Sequence, residues 1–386
     1  MKRLLSLACA LLVVFGLVAL LPQKVHASGG PRNILLGVAT LSNENVWAVG
    51  ESKSNTGFAS SPLVEHLQEQ RWQVISSPNL PGQQFAQFSS IAALSSQDIW
   101  VVGSASPQSG PSLSLIEHWN GQQFQIVPSP QPPGAGSFLT SVAAVSSHDV
   151  WAVGLNNSPQ NTADTFIEHW NGKQWQIVSS PNGGAQSNYL TSVTAVSKDD
   201  AWAVGNDVDS NNTSQSLIEH WNGHSWKLSP HTDSASSFLQ SIFAVSKDDV
   251  WATGYFFDQQ NNQEALIEHW NGRSWSRTSL PNPLRSSLSA IAGFSSHDVW
   301  AVGSRYTIGR QASSTTLTEH WDGHCWSIVA SPNPTASVFS ELTGVSIHAH
   351  GDVWTVGGGY SSSGSSTTLT EHWTAHSWKI VASPTP

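Results

Sequence analysis

A chain of 386 residues with 16 Lys and Arg against 26 Asp and Glu has a net charge of −10, which argues against nucleic acid or an anionic membrane surface as its partner. Charged residues make up only 11% of it, while Ser, Asn, Gln and Thr are abundant, a balance that suits strands buried on both sides and joined by uncharged polar loops.

Residues 1–27 read as an export signal. Lys2 and Arg3 form a basic start, Leu4 to Leu21 is an uncharged apolar run, and Val25-His26-Ala27 offers a small-residue cleavage pattern before Ser28. The run of 18 residues also reaches the lower limit for spanning a bilayer, so a retained anchor is the competing expectation. Either outcome leaves the rest of the chain outside the cytoplasmic membrane, secreted or on the cell surface, because the basic end stays inside. Cleavage removes Cys9 and leaves Cys325 alone, so the exported part has no internal disulfide and must be held by packing.

Beyond the leader the sequence repeats itself seven times at intervals of about 50 residues, and the 19 tryptophans occupy three slots of that repeat. The first slot is a D-V-W-A-V-G type string at Trp47, Trp100, Trp151, Trp202, Trp251, Trp300 and Trp354, each three residues before a glycine. The other two belong to I-E-H-W-N-G-x-x-W, complete at Trp170 and Trp175, Trp221 and Trp226, Trp270 and Trp275, and Trp321 and Trp326. The seventh unit keeps Trp373 and Trp378, while the first two units lose one each through Leu67 and Phe124.

Each unit reads as four strands. The apolar residue of the first strand (Val38, Ile91, Val142, Val193, Ile242, Ile291, Val345) always lies nine before the first-slot tryptophan, and the Glu of E-H-W always seven before the last aromatic. Two hairpins per unit are therefore constant in length, with turns such as S-S-H-D before Val150 and N-G-K-Q before Trp175; Asn-Gly between apolar residues suggests a two-residue turn there. The other connections vary, from 14 to 16 residues between glycine and Glu and from 25 to 28 between the last aromatic and the next first-slot tryptophan. In an up-and-down blade the 1–2 and 3–4 turns share one end and the 2–3 and 4–1 loops the other, so all variation gathers on one face.

The predicted fold is all-β: a seven-bladed β-propeller of four-stranded antiparallel blades over residues 28–386, with blades near 34–78, 87–130, 138–181, 189–230, 238–281, 287–332 and 341–386. Each end opens and closes on its own blade, so no exchanged strand is expected at the ring closure. The outer hairpin of blade 1, with Leu67-Gln68-Glu69 in place of W-N-G, is expected to be the least regular. The order of strand, D-V-W-A-V-G, long loop, I-E-H-W-N-G-x-x-W and S-P-N resembles the kelch repeat, with the glycine at Gly154, the aromatic at Trp170, the last tryptophan at Trp175 and their equivalents. Only Gly357-Gly358 keeps the glycine pair of that family, and the 3–4 turn is about two residues shorter, which makes the chain kelch-like. The resemblance implies a seven-bladed fold shared with galactose-oxidase-type enzymes and no particular chemistry.

Residues repeated in every blade are spread around a ring and cannot converge on one substrate. Glu168 and His169, Glu219 and His220, Glu268 and His269 and their equivalents, together with Asp149, Asp200, Asp249 and the other Asp residues two before the first-slot tryptophan, are therefore assigned to a structural network, the Asp as turn caps. Among irregular residues, His148, His297, His224, His324 and His376 fall in the short turns. His348 takes the place of an apolar residue equivalent to Val145, taken as core, and forms His348-x-His350 without a third metal ligand. Asp207-Val-Asp209-Ser-Asn211 starts like a calcium loop but lacks its later ligands. A copper-radical centre needs a tyrosine beside Cys325, and the tyrosines lie toward the other end. No metal, cofactor or catalytic residue is assigned.

The four tyrosines, Tyr189, Tyr255, Tyr306 and Tyr360, all fall on variable-face connections. Tyr255, Phe256, Arg305, Tyr306, Arg310 and Tyr360 come from successive loops of blades 5 to 7 and are the candidate ligand-binding set, since Tyr and Arg dominate binding surfaces. The first-strand residues Ser89, Thr140, Thr191, Gln240, Ser289 and Thr343 are expected to add polar groups at the mouth of the central channel. The expected function is that of a non-enzymatic, exported, monomeric scaffold binding an extracellular protein or glycan through the variable face, with no membrane contact beyond the leader. The alternatives are an enzyme acting on extracellular carbohydrate, with loop carboxylates such as Asp164, Asp207, Asp209 and Asp258, and a passive cell-surface or matrix component.

Overall fold

The computed structural model describes residues 32–54, 59–78, 82–134, 136–158, 162–184, 186–230, 236–309, 312–335, 337–374 and 376–384. The export signal expected at 1–27 and the candidate ligand residue Arg310 lie outside the described residues. Twenty-eight strands and no helix appear among the described residues, so the all-β expectation holds. The chain is a β-propeller of seven four-stranded antiparallel blades. Blade 3 is typical: Gly136–Ser146, Asp149–Asn157, Ala163–Trp170 and Trp175–Val178 pair in sequence order from the inside of the ring outward. Blade 1 begins at Arg32–Ser42 and blade 7 ends at Trp378–Ile380, and each blade is built from its own four consecutive strands, so no strand is exchanged at the closure, where one parallel bridge from Arg32 to Ser366 ties blade 1 to blade 7.

The tryptophans account for why separate blades hold together. Each first-slot ring leaves its own blade and packs on the second- and third-slot aromatics of the next. Trp151 lies 5.0 Å from Trp221 and 5.3 Å from Trp226, and Trp251 lies 5.3 Å from Trp321 and 5.6 Å from Trp326. The ring closes the same way, with Trp354 of blade 7 edge-on to Trp72 of blade 1 at 5.7 Å. First- and third-slot rings are buried, and burying an aromatic of this size is the main apolar gain available to each seam.

The repeated glycine is needed by geometry. A Cβ at Gly50, Gly103, Gly154, Gly205, Gly254, Gly303 or Gly357 would come within 1.9–2.0 Å of a first-strand carbonyl oxygen. Next to that approach every first strand carries a bulge, at Leu36, Ser89, Thr140, Thr191, Gln240, Ser289 and Thr343. Of the six residues expected at a polar mouth, Thr140, Thr191 and Thr343 are instead bound between blades through their hydroxyls. Thr140 Oγ1 donates to the Leu190 carbonyl at 2.8 Å, Thr191 to that of Leu239 at 2.9 Å, and Thr343 to that of Leu35 at 2.6 Å. The serines one place on add a second stitch: Ser141 Oγ accepts from the Val193 amide and Ser192 Oγ from the Ile242 amide, both at 3.2 Å.

A second bulge near the short turn leaves Val145 and His348 unpaired, so the site of His348 is not core, and the histidine is exposed. The Asn171-Gly172 turn also differs from expectation. Trp170 pairs with Trp175, which makes the loop four residues long, with Asn171 Oδ1 accepting from the amides of Lys173 and Gln174. Glu168 therefore stands opposite Ile177 rather than Trp175. Blade 1, lacking Asn-Gly, makes the tighter two-residue turn instead, with Glu69 at φ 51° and Gln70 at φ 62°.

Candidate binding face

The residues that recur in every blade are bound to one another. In blade 3 the His169 ring stacks on Trp151 at 4.1 Å and its Nε2 meets Asp149 Oδ1 at 2.7 Å. The same trio recurs as Trp202, His220 and Asp200, as Trp251, His269 and Asp249, and as Trp354, His372 and Asp352. These Asp side chains hold histidine rather than capping the turn. The turn is capped by serine, with Ser146 Oγ accepting from the His148 amide and Ser246 Oγ from that of Asp248, both at 3.3 Å. In blade 1 the acid is replaced by Asn45, and burial with no carboxylate opposite pushes His66 down to about 4.

The seven E-H-W glutamates are buried between blades. Four of them accept hydrogen bonds from the serine of the Ser-Pro that ends the preceding blade: Ser77 to Glu117 at 2.9 Å, Ser129 to Glu168 at 2.8 Å, Ser180 to Glu219 at 2.8 Å and Ser331 to Glu371 at 2.7 Å. Burial pushes Glu65, Glu168 and Glu219 up to about 8 and Glu117 and Glu371 up to about 7, although the serine pulls the other way. Blade 6 lacks that serine. Leu280 stands where the serine would be, and neither carboxyl oxygen of Glu319 has a hydrogen-bond partner. Burial lifts Glu319 to about 7, opposed by the charge of Arg305.

At the short-turn end the irregular histidines pack on neighbouring turns. A Cβ on Gly172 would lie 2.5 Å from the His148 ring, and one on Gly323 would lie 2.4 Å from that of His297. His350 Nδ1 reaches Asp298 of the preceding blade at 2.5 Å, so this carboxylate is shared with His320. Burial opposes ionisation of Asp298, but the hydrogen bonds and charges of the two histidines outweigh it and hold the group below its usual range. No cluster of three or more His, Cys, Asp or Glu side chains fit to hold a metal occurs among the described residues. Asp209, in the calcium-like stretch, turns back on its own loop and accepts from the amides of Asn211 and Thr213, as Asp258 does from Gln260 and Asn262 in the next blade.

The loop-bearing end holds all four tyrosines, yet not as a shared aromatic surface. Tyr255 is buried, stacked on Phe238 at 4.9 Å, and burial raises it to about 12. Phe256 is buried beneath the guanidinium of Arg277, 3.6 Å from its ring centre. Tyr189 is buried against Asn206 and Tyr255, and burial is the first cause of its raised pKa. Arg305 donates from Nη2 to the Asn282 carbonyl at 2.8 Å. Tyr306 is half-buried, and burial raises it against the pull of a bond to the Gln263 backbone and the charge of Arg285. The expectation that Tyr255 and Phe256 would face a ligand is thus corrected: they point to opposite faces of a strand that is covered on both, so both enter blade packing. Tyr306 and Arg305 stay partly accessible.

Tyr360 lies at a junction that sequence reasoning missed. Its hydroxyl donates to Glu341 Oε1 at 2.9 Å, and the buried Glu51 of blade 1 is close enough to raise it further after burial and Glu341 have acted. Burial raises Glu341 as well, with Tyr360 opposing. Glu51 Oε2 lies 3.0 Å from Lys53 Nζ. Two carboxyls, a phenol and an ammonium thus meet at the seam of blades 7 and 1. The sequence signal was present: Glu341 stands where other blades carry Ile34, Gln87, Phe138, Tyr189, Phe238 or Ser287.

No protein-family model and no curated protein matches the sequence. Solved structures do resemble the fold. An ulvan lyase of a polysaccharide lyase family, bound to -[GlcA(1-4)Rha3S]-, aligns with a TM-score of 0.59 at 9% identity over 92% of this chain and 96% of that one. YCF48 bound to a D1 peptide aligns at 0.51 and 14% identity over 92% and 96%, and YCF48 from Cyanidioschyzon merolae at 0.51 and 14% over 88% and 95%. At such identities the likeness is one of fold.

Proposed function

We propose that this chain is an exported, kelch-like propeller without catalytic activity that binds an extracellular protein or glycan through its 2–3 and 4–1 loop face. The observation that carries the reading is the division of labour between residues. The recurring Trp, His, Asp and Glu side chains are engaged in packing within and between blades, whereas the side chains that differ from blade to blade gather at the loop end. A rigid frame with variable loops on one face is the arrangement in which recognition is built. Peptide and polysaccharide are the ligands of the propellers to which this fold is similar, which supports a binding role without selecting one ligand. The export signal read in the sequence at residues 1–27 supports a location outside the cytoplasmic membrane, secreted or at the surface, and the proposed form is a monomer.

The test is a screen of the secreted protein against glycans and extracellular proteins, followed by Tyr306→Ala, which touches a half-exposed side chain. Binding should weaken while the thermal midpoint stays within about a degree or two, since surface changes are near-neutral. The reverse pattern, with His148→Ala or His324→Ala abolishing binding and Tyr306→Ala silent, would move the functional surface to the short-turn end.

A second reading has one observation in its favour. The Glu341, Tyr360 and Glu51 junction brings a carboxyl raised by burial beside a phenol and a second carboxyl, the kind of pairing from which acid–base chemistry on carbohydrate is made. Release of reducing or unsaturated ends from extracellular polysaccharides, lost in Glu341→Gln, is the result that would replace the binding reading with this one.

A further inference from the structure

Arginine is unevenly spread along this chain. Of eight, Arg273, Arg277, Arg285, Arg305 and Arg310 fall between residues 273 and 310. Three of them gather around the connection from blade 5 into blade 6. Arg277 lies over the Phe256 ring, 3.8 Å from Glu264, and Glu264 is bridged through its backbone to Leu284. Arg305 holds the Asn282 carbonyl of that connection. Arg285 is fixed through its backbone, its amide donating to Gln263 at 2.7 Å and its carbonyl accepting from Tyr306 at 2.9 Å, while its side chain is exposed. Arg285 also sits at φ 59°, a conformation that strains a residue with a Cβ. Two large apolar side chains of the same seam lie in the open: Leu284, next to it in sequence, at 42% exposure, and Ile308, two residues beyond the Tyr306 whose amide binds the Arg285 carbonyl, at 68%.

The acidic groups at this seam are already committed. Glu264 faces Arg277, Asp258 is bound to Asn262, and Glu319 is buried between the blades. An exposed guanidinium and a half-buried tyrosine remain, edged by aliphatic surface, on a chain whose net charge is −10. Arg, Tyr and aliphatic groups together are the makings of a protein contact, with the guanidinium fork suited to a carboxylate and the exposed Leu and Ile to an apolar side chain. A sugar ring would leave those aliphatic side chains in water.

We infer that the loop end of the blade 5–6 seam docks a polypeptide segment of another protein that carries Asp or Glu next to an aliphatic residue. Arg285 takes the carboxylate, and Leu284 and Ile308 cover the aliphatic side chain, beside Tyr306. The inference rests on the reading of the loop end as the binding face and narrows it to one seam and one partner class. A local cation on an acidic frame also selects by charge, drawing acidic segments to this point and repelling them elsewhere.

The experiment is to pan a random dodecapeptide library on the protein purified from an exporting host, then to measure the selected peptides by fluorescence anisotropy against wild type, Arg285→Glu and Ile308→Ser, each checked for an unchanged melting curve. Selected sequences should carry acidic residues beside Leu, Ile, Val or Phe. Their affinity should fall at least tenfold in Arg285→Glu, severalfold in Ile308→Ser, and with added salt. Peptides that are neutral or basic, or insensitive to both changes, overturn the assignment. If such peptides still lose affinity on Lys53→Glu, the loop end binds at another seam and only this inference fails. If instead His148→Ala or His324→Ala alone weakens them, the binding-face reading fails with it. Heparin or a polyuronate binding with the same Arg285 dependence, with no peptide selected, replaces the peptide partner by an anionic glycan.

Discussion

Within the blades and at the seams between them the same Trp, His, Asp and Glu contacts recur around the ring, whereas at the loop end neighbouring blades present different residues in equivalent positions. The contrast separates two kinds of constraint. A ring of similar seams is stable only if each is close to filled, so the sequence repeats wherever a side chain crosses from one blade to the next. Blade 6 marks the boundary between the regimes. There the serine that caps the seam glutamate has become Leu280, packed beside Trp326, and an arginine from the loop end, Arg305, supplies the charge that partly replaces it. A residue at the recognition end thus also serves the frame.

The comparison is broken most forcefully by removing a seam ring. Trp226 is buried against Trp151, so Trp226→Ala should cost about 3–5 kcal/mol in denaturant titration, because large-to-small core changes lose burial and leave a cavity. A near-neutral result would mean that the seams are not what holds the ring.

The seam glutamates give the second test, through pH. Burial raises Glu65, Glu117, Glu168, Glu219, Glu319 and Glu371 to about 7 to 8, above the unfolded value of 4.5, so the folded state holds more protons between the two. The stability they contribute is complete below pH 4.5 and is lost as pH rises through 7 to 8. His66 acts in the opposite sense, its contribution present above 6.5 and lost as pH falls through about 4. The melting temperature should therefore peak near pH 5 and fall toward pH 8.5. Glu168→Gln, which accepts from Ser129 without ionising, should flatten that fall, by about 1 kcal/mol at pH 8.5, with little change at pH 5. Melting curves parallel at both pH values would show that Glu168 is ionised throughout.

The arginines sharpen the boundary. Arg305→Ala should cost about 1–2 kcal/mol, losing its bond to Asn282 and its field on Glu319, whereas Arg285→Ala should cost less than about 0.5 kcal/mol. Equal costs in chemical denaturation would place both arginines in the frame.

The scaffold was largely legible in the sequence, because the spacing of Trp, Glu and Gly is imposed by strand pairing and repeats with it. Blade number, strand order and the end that carries the variable loops all follow from those intervals. What stayed hidden depends on β-bulges and side-chain direction. The bulge at Thr140 turns its hydroxyl into the next blade, and the packing on both faces of Asp249–Phe257 buries Tyr255 although the residue lies at the loop end. Asp149 looked like a turn cap because its histidine partner lies 20 residues away in sequence, across a strand pair. The Glu341 and Tyr360 pair was masked by its positions in otherwise repeated strands, where reading for the repeat passes over the exception.

The smallest effect concerns the outer hairpin of blade 1, where Glu69-Gln70 form the turn in place of Asn-Gly. Its two turn residues, Glu69 and Gln70, both adopt left-handed backbone angles, which cost roughly 1 kcal/mol or more per residue with a Cβ and nothing for glycine. A two-residue turn with both φ positive is the form that Asn-Gly prefers. The double change Glu69→Asn and Gln70→Gly should therefore stabilise the protein by about 0.5–1 kcal/mol, the gain limited by the extra freedom glycine has when unfolded. The hairpin is exposed and at the short-turn end, so ligand binding at the loop face should be unchanged. A higher melting temperature with unaltered affinity would show that this irregularity belongs to the frame alone; an altered affinity would mean that the two ends of the disc are coupled.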